Sequence, residues 1–349
     1  MSTVTDIEWT DVSWNPVRGC SLVSAGCAHC YAMKQAHRFS GPGKPYEGLT
    51  ELGPQGPRWT GKIKLVPELL DEPLGWKKPR RVFVNSMSDL FHEDVPEEFI
   101  NRVWAEMCIA DWHVYQILTK RPQRMLDFLT RNDWQLVGSI VASRSQEAAY
   151  RALARKRAGF KVCEHVWLGV SVEDQKTADE RIPLLLQTPA AVRWISLEPM
   201  LGPVDISCYL QPPAHISGRH VRLGRGEWII DADGAHLMWR GLDWVVVGGE
   251  SGPGARLCDV AWIRSIVRQC RAAGVPVFVK QLGSQPRGWC VDRLHGDEPE
   301  SAYQRDHCGW YEASEIPKPC AGRCLVLYDK KGGDPSEWPE GLRVREWPR

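Results

Sequence analysis

The sequence predicts an α/β fold, a (β/α) barrel-like domain in the manner of a partial TIM barrel, and three observations carry that expectation. Short apolar, β-rich runs recur at Arg81–Val84, Val114–Leu118, Val166–Val170, Val192–Leu197, Trp244–Val247 and Val275–Val279. They read as buried parallel strands, because a strand covered on both faces has no polar face to alternate with. Helical patterns lie between several of them, at Pro96–Ala110, Gln123–Leu129, Ala178–Gln187 and Val260–Ala273. Strand and helix in alternation favour a parallel sheet over a sandwich. Each run is also followed by a polar or glycine-rich segment, as a barrel whose loops build one mouth requires.

Taken in order, those segments are Asn85-Ser86-Met87-Ser88-Asp89, Thr119-Lys120-Arg121, Ser171-Val172-Glu173-Asp174, Glu198-Pro199, Gly248-Gly249-Glu250-Ser251 and Lys280-Gln281. Any one of them reads equally well as a helix cap or turn. Three stretches interrupt the rhythm. Gly41–Gly61, rich in Gly and Pro, is expected to be a long loop. Ser145–Lys161 reads as a basic inserted helix, more naturally a solvated face than a phosphate-binding one, and Cys208–Arg240 as an insertion containing a hairpin. The expected organisation is a barrel over residues 1–281, with insertions near 41–61, 145–161 and 208–240, and a C-terminal extension over 282–349.

A chain of 349 residues with 43% hydrophobic content can bury a sizeable core. With 44 Lys plus Arg against 43 Asp plus Glu, net charge points to no nucleic-acid or membrane partner. The N-terminus lacks a basic start and an apolar run, and no stretch of about 18 apolar residues occurs. A cytoplasmic protein without a membrane span is expected. In a reducing compartment twelve cysteines are ligands or buried thiols rather than a disulfide framework.

Spacing singles out three of them. Cys20, Cys27 and Cys30 form a C-x6-C-x2-C pattern in which Gly19 and Gly26 are flexible points. Two close thiolates grip one centre and the six-residue loop brings in the third. No fourth ligand follows nearby. Structural zinc asks for four protein ligands and would need His29, His37 or a distant residue, whereas a [4Fe-4S] cluster on three thiolates leaves one iron open. Unligated thiols are the remaining reading. Cys290, Cys308, Cys320 and Cys324, with His295 and His307 among them, offer a weaker second metal site. Cys108, Cys163, Cys208, Cys258 and Cys270 read as core or incidental thiols, and most of the seventeen tryptophans as packing.

The segment Asn15-Pro16-x-x-Gly19-Cys20, followed by Cys27-x-x-Cys30-Tyr31-Ala32, resembles the cluster loop of radical S-adenosylmethionine enzymes, especially the spore-photoproduct-lyase-like branch. That superfamily usually has three residues between its first two cysteines. From Ile7 to about Gln281 the chain is also similar to the phage and prophage three-cysteine-motif family. The segments that carry this likeness include Arg80-Arg-Val-Phe-Val-Asn-Ser-Met-Ser-Asp-Leu-Phe-His, Leu118-Thr-Lys-Arg-Pro, Trp167-Leu-Gly-Val-Ser-Val-Glu-Asp-Gln, Leu197-Glu-Pro-Met-Leu-Gly-Pro-Val and Val247-Gly-Gly-Glu-Ser-Gly.

The resemblance implies a radical-SAM-type partial barrel with a [4Fe-4S] cluster and S-adenosyl-L-methionine as cofactors. It also implies a nucleic acid base or nucleotide as substrate for modification or repair. A reductant such as flavodoxin or ferredoxin, and a separately encoded partner protein, go with it. By position, Asn85, Ser86, Ser88 and Asp89 resemble the loop that contacts the methionyl part, and Lys120 with Arg121 the strand end that holds its carboxylate. Glu173, Asp174 and Glu198 are candidates for ribose hydroxyls or substrate, Lys280 ranks with them, and Glu250 is a candidate polar anchor. The competing class is a non-catalytic nucleic-acid-binding or partner-docking protein with a structural metal.

Overall fold

A computed structural model describes residues 3–5, 7–54, 56–149, 160–210, 219–223, 226–230, 236–239, 241–287 and 329–348. The chain divides into two compact units, the first made of Met1–Ser171 and Asp179–Ser196, the second of Val172–Ala178 and Leu197–Arg349. Eight strands make the principal sheet: β1 (Thr3–Val4), β2 (Val12–Trp14), β3 (Arg81–Val84), β4 (Val114–Thr119), β5 (Val166–Val172), β6 (Val192–Leu197), β7 (Trp244–Gly248) and β8 (Val277–Gln281). All but β1, which is antiparallel to β2, run parallel, and the fold is the α/β partial barrel expected.

In the first unit β2 pairs with β3, β3 with β4, and β4 with β5, in registers such as Trp14↔Val84, Val84↔Ile117 and Thr119↔Val170. Their residues are buried almost throughout, which is why the runs carry no alternation. Gly169 in β5 leaves room for the Trp194 indole of β6; a Cβ there would lie 2.5 Å from the ring. The helices are α1 (Tyr31–His37), α2 (Glu97–Ile109), α3 (Pro122–Arg131) and α4 (Trp134–Arg144). Glu97 and Glu98 favour the N-terminus of α2 by facing its positive end.

In the second unit β7 and β8 are parallel, with a bulge at Val247/Gly248. Helix α5 (Gln175–Gln187) starts in this unit, and α6 (Val260–Ala273) lies wholly within it. Asp259 caps α6 by accepting from the Ala261 N–H, and Gly274, at φ 67°, ends it. Residues 329–348 return to β8: Val279 N–H donates to Val344 O at 2.8 Å and Glu346 N–H to Val277 O at 3.1 Å. Arg345 covers the rings of Phe278 and Trp338, and Trp338 is fully buried.

Several expectations need adjustment. The 41–61 stretch is not a bare loop, since Thr50–Gly53 and Gly56–Trp59 pair as an antiparallel hairpin that packs on α1. The hairpin expected within 208–240 is a three-stranded antiparallel meander, Arg219–Leu223, Gly226–Ile230 and His236–Trp239. The last strand starts at Val277 rather than Val275, because the Val275 N–H is taken by Cys270 O in the cap of α6. Neither β2 nor α4 stood out as an apolar or periodic run. Most of the expected basic helix, and Cys290, Cys308, Cys320, Cys324, His295 and His307, lie outside the described residues. No described helix is long and apolar enough to cross a membrane.

Candidate functional site

Strand β2 delivers the chain directly into the cysteine motif, and the loop after β3 holds it there. Asn85 N–H donates to Trp14 O at 2.7 Å, extending the ladder by one residue. Asn15 Oδ1 accepts from the Met87 N–H at 3.0 Å and the Ser86 hydroxyl at 3.3 Å. Asn85 Oδ1 accepts from the Val17 N–H, and the Ser88 hydroxyl donates to Val17 O at 2.7 Å. Tyr31, just past the last cysteine, donates its hydroxyl to Ser86 O at 2.8 Å. Asn85, Ser86 and Ser88 thus staple the cysteine loop to the strand end.

Two features of this seam are unusual. Gly19 has φ +86°, and a Cβ on it would lie 2.3 Å from Lys62 O, so neither its conformation nor its surroundings admit a side chain. Asn85 also has positive φ, 61°, with only 2% exposure, and its Nδ2 is buried with no hydrogen-bond partner in the structure. A left-handed non-glycine residue carrying an orphaned buried donor is a pattern that gathers at binding sites. Gly26, by contrast, lies in the 3-10 turn Ala25–Cys27 and is not among the positive-φ glycines.

Successive turns close the rest of the motif, with Cys27 N–H donating to Ser24 O and Cys30 N–H to Cys27 O. Cys30 is the N-cap of α1. Burial pushes its thiol pKa up, while N–H donation from Ala32 and Met33 and the charge of Lys120 act the other way. The floor beneath is apolar: Ala32, Met33, Ala36, Leu49, Trp59 and Met87 form a buried cluster on which Cys20 and Cys30 pack. Burial likewise pushes the Cys20 thiol up, to about 12, with Asp89 adding to the effect and Arg121 opposing it. Thiols raised in this way give up their protons readily only when a metal centre takes the sulfur.

At the end of β4 a polar network presses against Cys20. Asp89 accepts from the Thr119 hydroxyl at 2.8 and 3.0 Å, the Lys120 N–H at 3.1 Å, the Phe91 N–H at 3.0 Å and Arg121 Nη1 at 3.1 Å. Its carboxylate is therefore committed within the protein, as a strut for the strand end. Arg121 donates from Nε to Glu93 at 2.8 and 2.9 Å and from Nη2 to the Ser21 hydroxyl at 2.6 Å, and its Nη1 lies 3.9 Å from Cys20 Sγ. Burial works to raise the Glu93 pKa, but these bonds overcome it and hold the carboxyl below its ordinary range. Burial and the Arg121 charge push His92 down, so the imidazole is neutral. Its Nδ1 accepts from the Asp94 N–H, which leaves Nε2 to donate to Ser21 Oγ at 2.9 Å.

The candidates in the second unit group differently. Glu198 meets Lys280 Nζ at 3.2 Å, and Gly248 abuts the same carboxylate, where a Cβ would lie 2.7 Å from Oε1. Glu173 is 1% exposed; its backbone N–H donates to the Thr177 hydroxyl and its carbonyl accepts from the Leu201 N–H. Asp174 caps the start of α5 by accepting from the Thr177 N–H at 2.8 Å. Glu250 does not join them. Its carboxylate is closed on Arg256, which donates from Nη2 at 2.7 Å, Nε at 3.0 Å and its backbone N–H at 2.7 Å. Arg121, Ser21, His92 and Glu93 are what sequence reasoning underweighted, although the run Phe91-His92-Glu93 and the Thr-Lys-Arg strand end carried the signal.

Among the described residues no group of three His, Cys, Asp or Glu is placed to hold a single metal ion. A four-iron cluster makes another demand, because each thiolate meets a different iron and the sulfurs stand further apart than around one ion.

No curated protein matches the chain in sequence. Solved structures of spore photoproduct lyase are similar to it: one complexed with dinucleoside spore photoproduct and one mutant with bound AdoMet and that dinucleoside, each with TM-score 0.33 and 10% identity. Each match covers 57% of this chain and 48% of the other, so the chain spans about half the length of those proteins. The family profile for a protein of unknown function, DUF5131, matches residues 4–325, and the chain belongs to that family.

Proposed function

We propose that the protein is an iron–sulfur enzyme of the radical S-adenosylmethionine type, with Cys20, Cys27 and Cys30 each ligating one iron of a [4Fe-4S] cluster. The observation that carries this reading is the setting of the cysteine loop. Cys27 shares the loop with Cys20 and Cys30, which pack on an apolar floor, with helix N–H groups and Lys120 beside Cys30 and a fastened guanidinium beside Cys20. N–H groups and cations of this kind offset the negative charge that three thiolates bring. The donor set fits such a cluster, and three ligands rather than four leave one iron open for S-adenosylmethionine.

When bound and reduced, the cluster supplies cleavage of S-adenosylmethionine to a 5′-deoxyadenosyl radical that abstracts hydrogen from a substrate. The chain's own residues orient and shield. The Asn85 amide offers its orphaned donor near the cysteine loop, and Lys120 offers a cation to a carboxylate. The apolar floor on which Cys20 and Cys30 pack keeps water from that side of the loop. In the second unit Glu198 and Lys280 offer a polar pair suited to substrate hydroxyls, and Glu173 is a further candidate. The substrate class we assign, a nucleic acid base or nucleotide, rests on the motif resemblance of the cysteine loop, as does the need for a flavodoxin- or ferredoxin-type reductant.

The test is anaerobic reconstitution with iron and sulfide, followed by absorbance and EPR spectra and an assay for 5′-deoxyadenosine with dithionite and S-adenosylmethionine. A cluster signal and 5′-deoxyadenosine are expected. Tightly bound zinc with no cluster would overturn the reading in favour of a structural metal, and a cluster without cofactor cleavage would overturn the radical chemistry.

A further inference from the structure

We infer that Arg121 is a positioning residue for the first cysteine, one that fixes the Cys20–Ser21 segment and sets how readily a cluster on Cys20 takes up an electron. This rests on the assignment of Cys20, Cys27 and Cys30 as cluster ligands. It goes beyond that assignment because Arg121 is not a ligand and acts only through Cys20.

A guanidinium held only for folding has partners enough in the two carboxylates, Asp89 at 3.1 Å and Glu93 at 2.8 Å. Here it reaches further. The Nη2 group donates to the Ser21 hydroxyl at 2.6 Å, and Nη1, besides meeting Asp89, lies 3.9 Å from Cys20 Sγ, at the long end of a hydrogen bond to sulfur. Ser21 is held a second time by His92 at 2.9 Å. The residue next to the ligand is thus gripped from two sides. Arg121 is 7% exposed, so its charge is little screened by solvent.

Reduction adds one electron, supplied by dithionite or a flavodoxin-type donor, to the cluster without making or breaking a bond in the protein. A cation close to a ligand sulfur favours the more negative, reduced state, and hydrogen bonds to cluster sulfurs act in the same direction. The carboxylates of Asp89 and Glu93 oppose it. The arrangement therefore makes two predictions of opposite sign. Replacing Arg121 makes the cluster harder to reduce, whereas neutralising Glu93 leaves Arg121 with less counter-charge and makes the cluster easier to reduce.

The experiment is an EPR-monitored redox titration of the reconstituted full-length protein and of its R121Q, R121K and E93Q variants. R121Q is expected to lower the one-electron midpoint by the equivalent of a tenfold weaker electron affinity, about 59 mV, and to change the EPR line shape. R121K should fall between R121Q and the parent protein, and E93Q should shift the midpoint upward by less. Glu93 has a side chain 65% exposed and, among the described residues, its ion pair runs to Arg121, so E93Q decides the matter should R121Q fail to fold. A cluster whose midpoint and spectrum are the same in the parent, R121Q and E93Q overturns the inference while the ligand assignment stands. No cluster in the parent protein overturns both.

Discussion

The strand ends of the first unit and those of the second are made from similar residues, acids, amides and a lysine after a buried strand, yet they are wired differently. In the first, Asn85, Ser86, Ser88, Asp89 and Arg121 spend their hydrogen bonds on the cysteine loop and on one another, and the result is a cradle. In the second, Glu250 closes its own loop through Arg256, and Glu198 meets Lys280 with Gly248 against its carboxylate. The difference teaches that polar strand ends do not all serve a ligand directly. Some hold the segment that binds.

Changes in the two regions should therefore fail in different ways. The largest effect is expected from Cys30→Ala, which removes the ligand at the start of α1: the reconstituted variant should lose its cluster absorbance while its circular dichroism stays that of the parent. Lys280→Met should keep the cluster. A variant of the second unit that lost it as completely would break the comparison.

Thiol chemistry of the metal-free protein draws the contrast next. Cys20 is pushed up from 9.0 to about 12 by burial, whereas Cys208 of the second unit is exposed. Since only the thiolate reacts, Cys20 should be alkylated at pH 8 two to three orders of magnitude more slowly than Cys208, on the order of tenfold for each unit by which its pKa is raised. The Cys20 rate should climb tenfold per pH unit toward pH 12. Peptide mapping after timed iodoacetamide treatment measures both, and equal rates would mean that Cys20 is open to water.

Asp89→Ala takes from the buried Arg121 one of its two carboxylates and removes the acceptor for Thr119 and the Lys120 N–H. Breaking a buried pair from one side while Glu93 still holds the guanidinium costs about 3 kcal/mol, to be read from urea unfolding. In the second unit Gly249→Ala would drive a Cβ to 2.4 Å from Leu282 O, a backbone clash that the same measurement should register at about 1–3 kcal/mol. The smallest expected effect is that of Lys280→Met on stability, about 1 kcal/mol, because the Glu198–Lys280 pair keeps some contact with solvent.

Much of the fold was legible because buried parallel strands advertise themselves as apolar runs. The runs at Arg81, Val114, Val166, Val192 and Trp244 all became strands beginning at those residues. Val12–Trp14 did not show, since three residues cannot display a period, and its strand character comes from pairing with β3. Helix α4 was missed for another reason: its Gly138 is small to make way for the Phe160 ring, a demand set by a distant segment. Of the candidate site, the cysteine spacing and the adjacent Asn-Pro were visible as a motif, while Glu250 looked like a ligand anchor until Arg256 was seen to close on it.

By itself, the sequence determined the strand–helix order and the three cysteines on one loop, because these depend on neighbours along the chain. Only the tertiary structure decided which polar residues stand beside those cysteines. Arg121 reaches Ser21 across 100 positions and Ser88 reaches Val17 across 71. Hydrogen bonds of that span leave no periodic trace in a sequence, because they exist only once β2, β3 and β4 lie side by side.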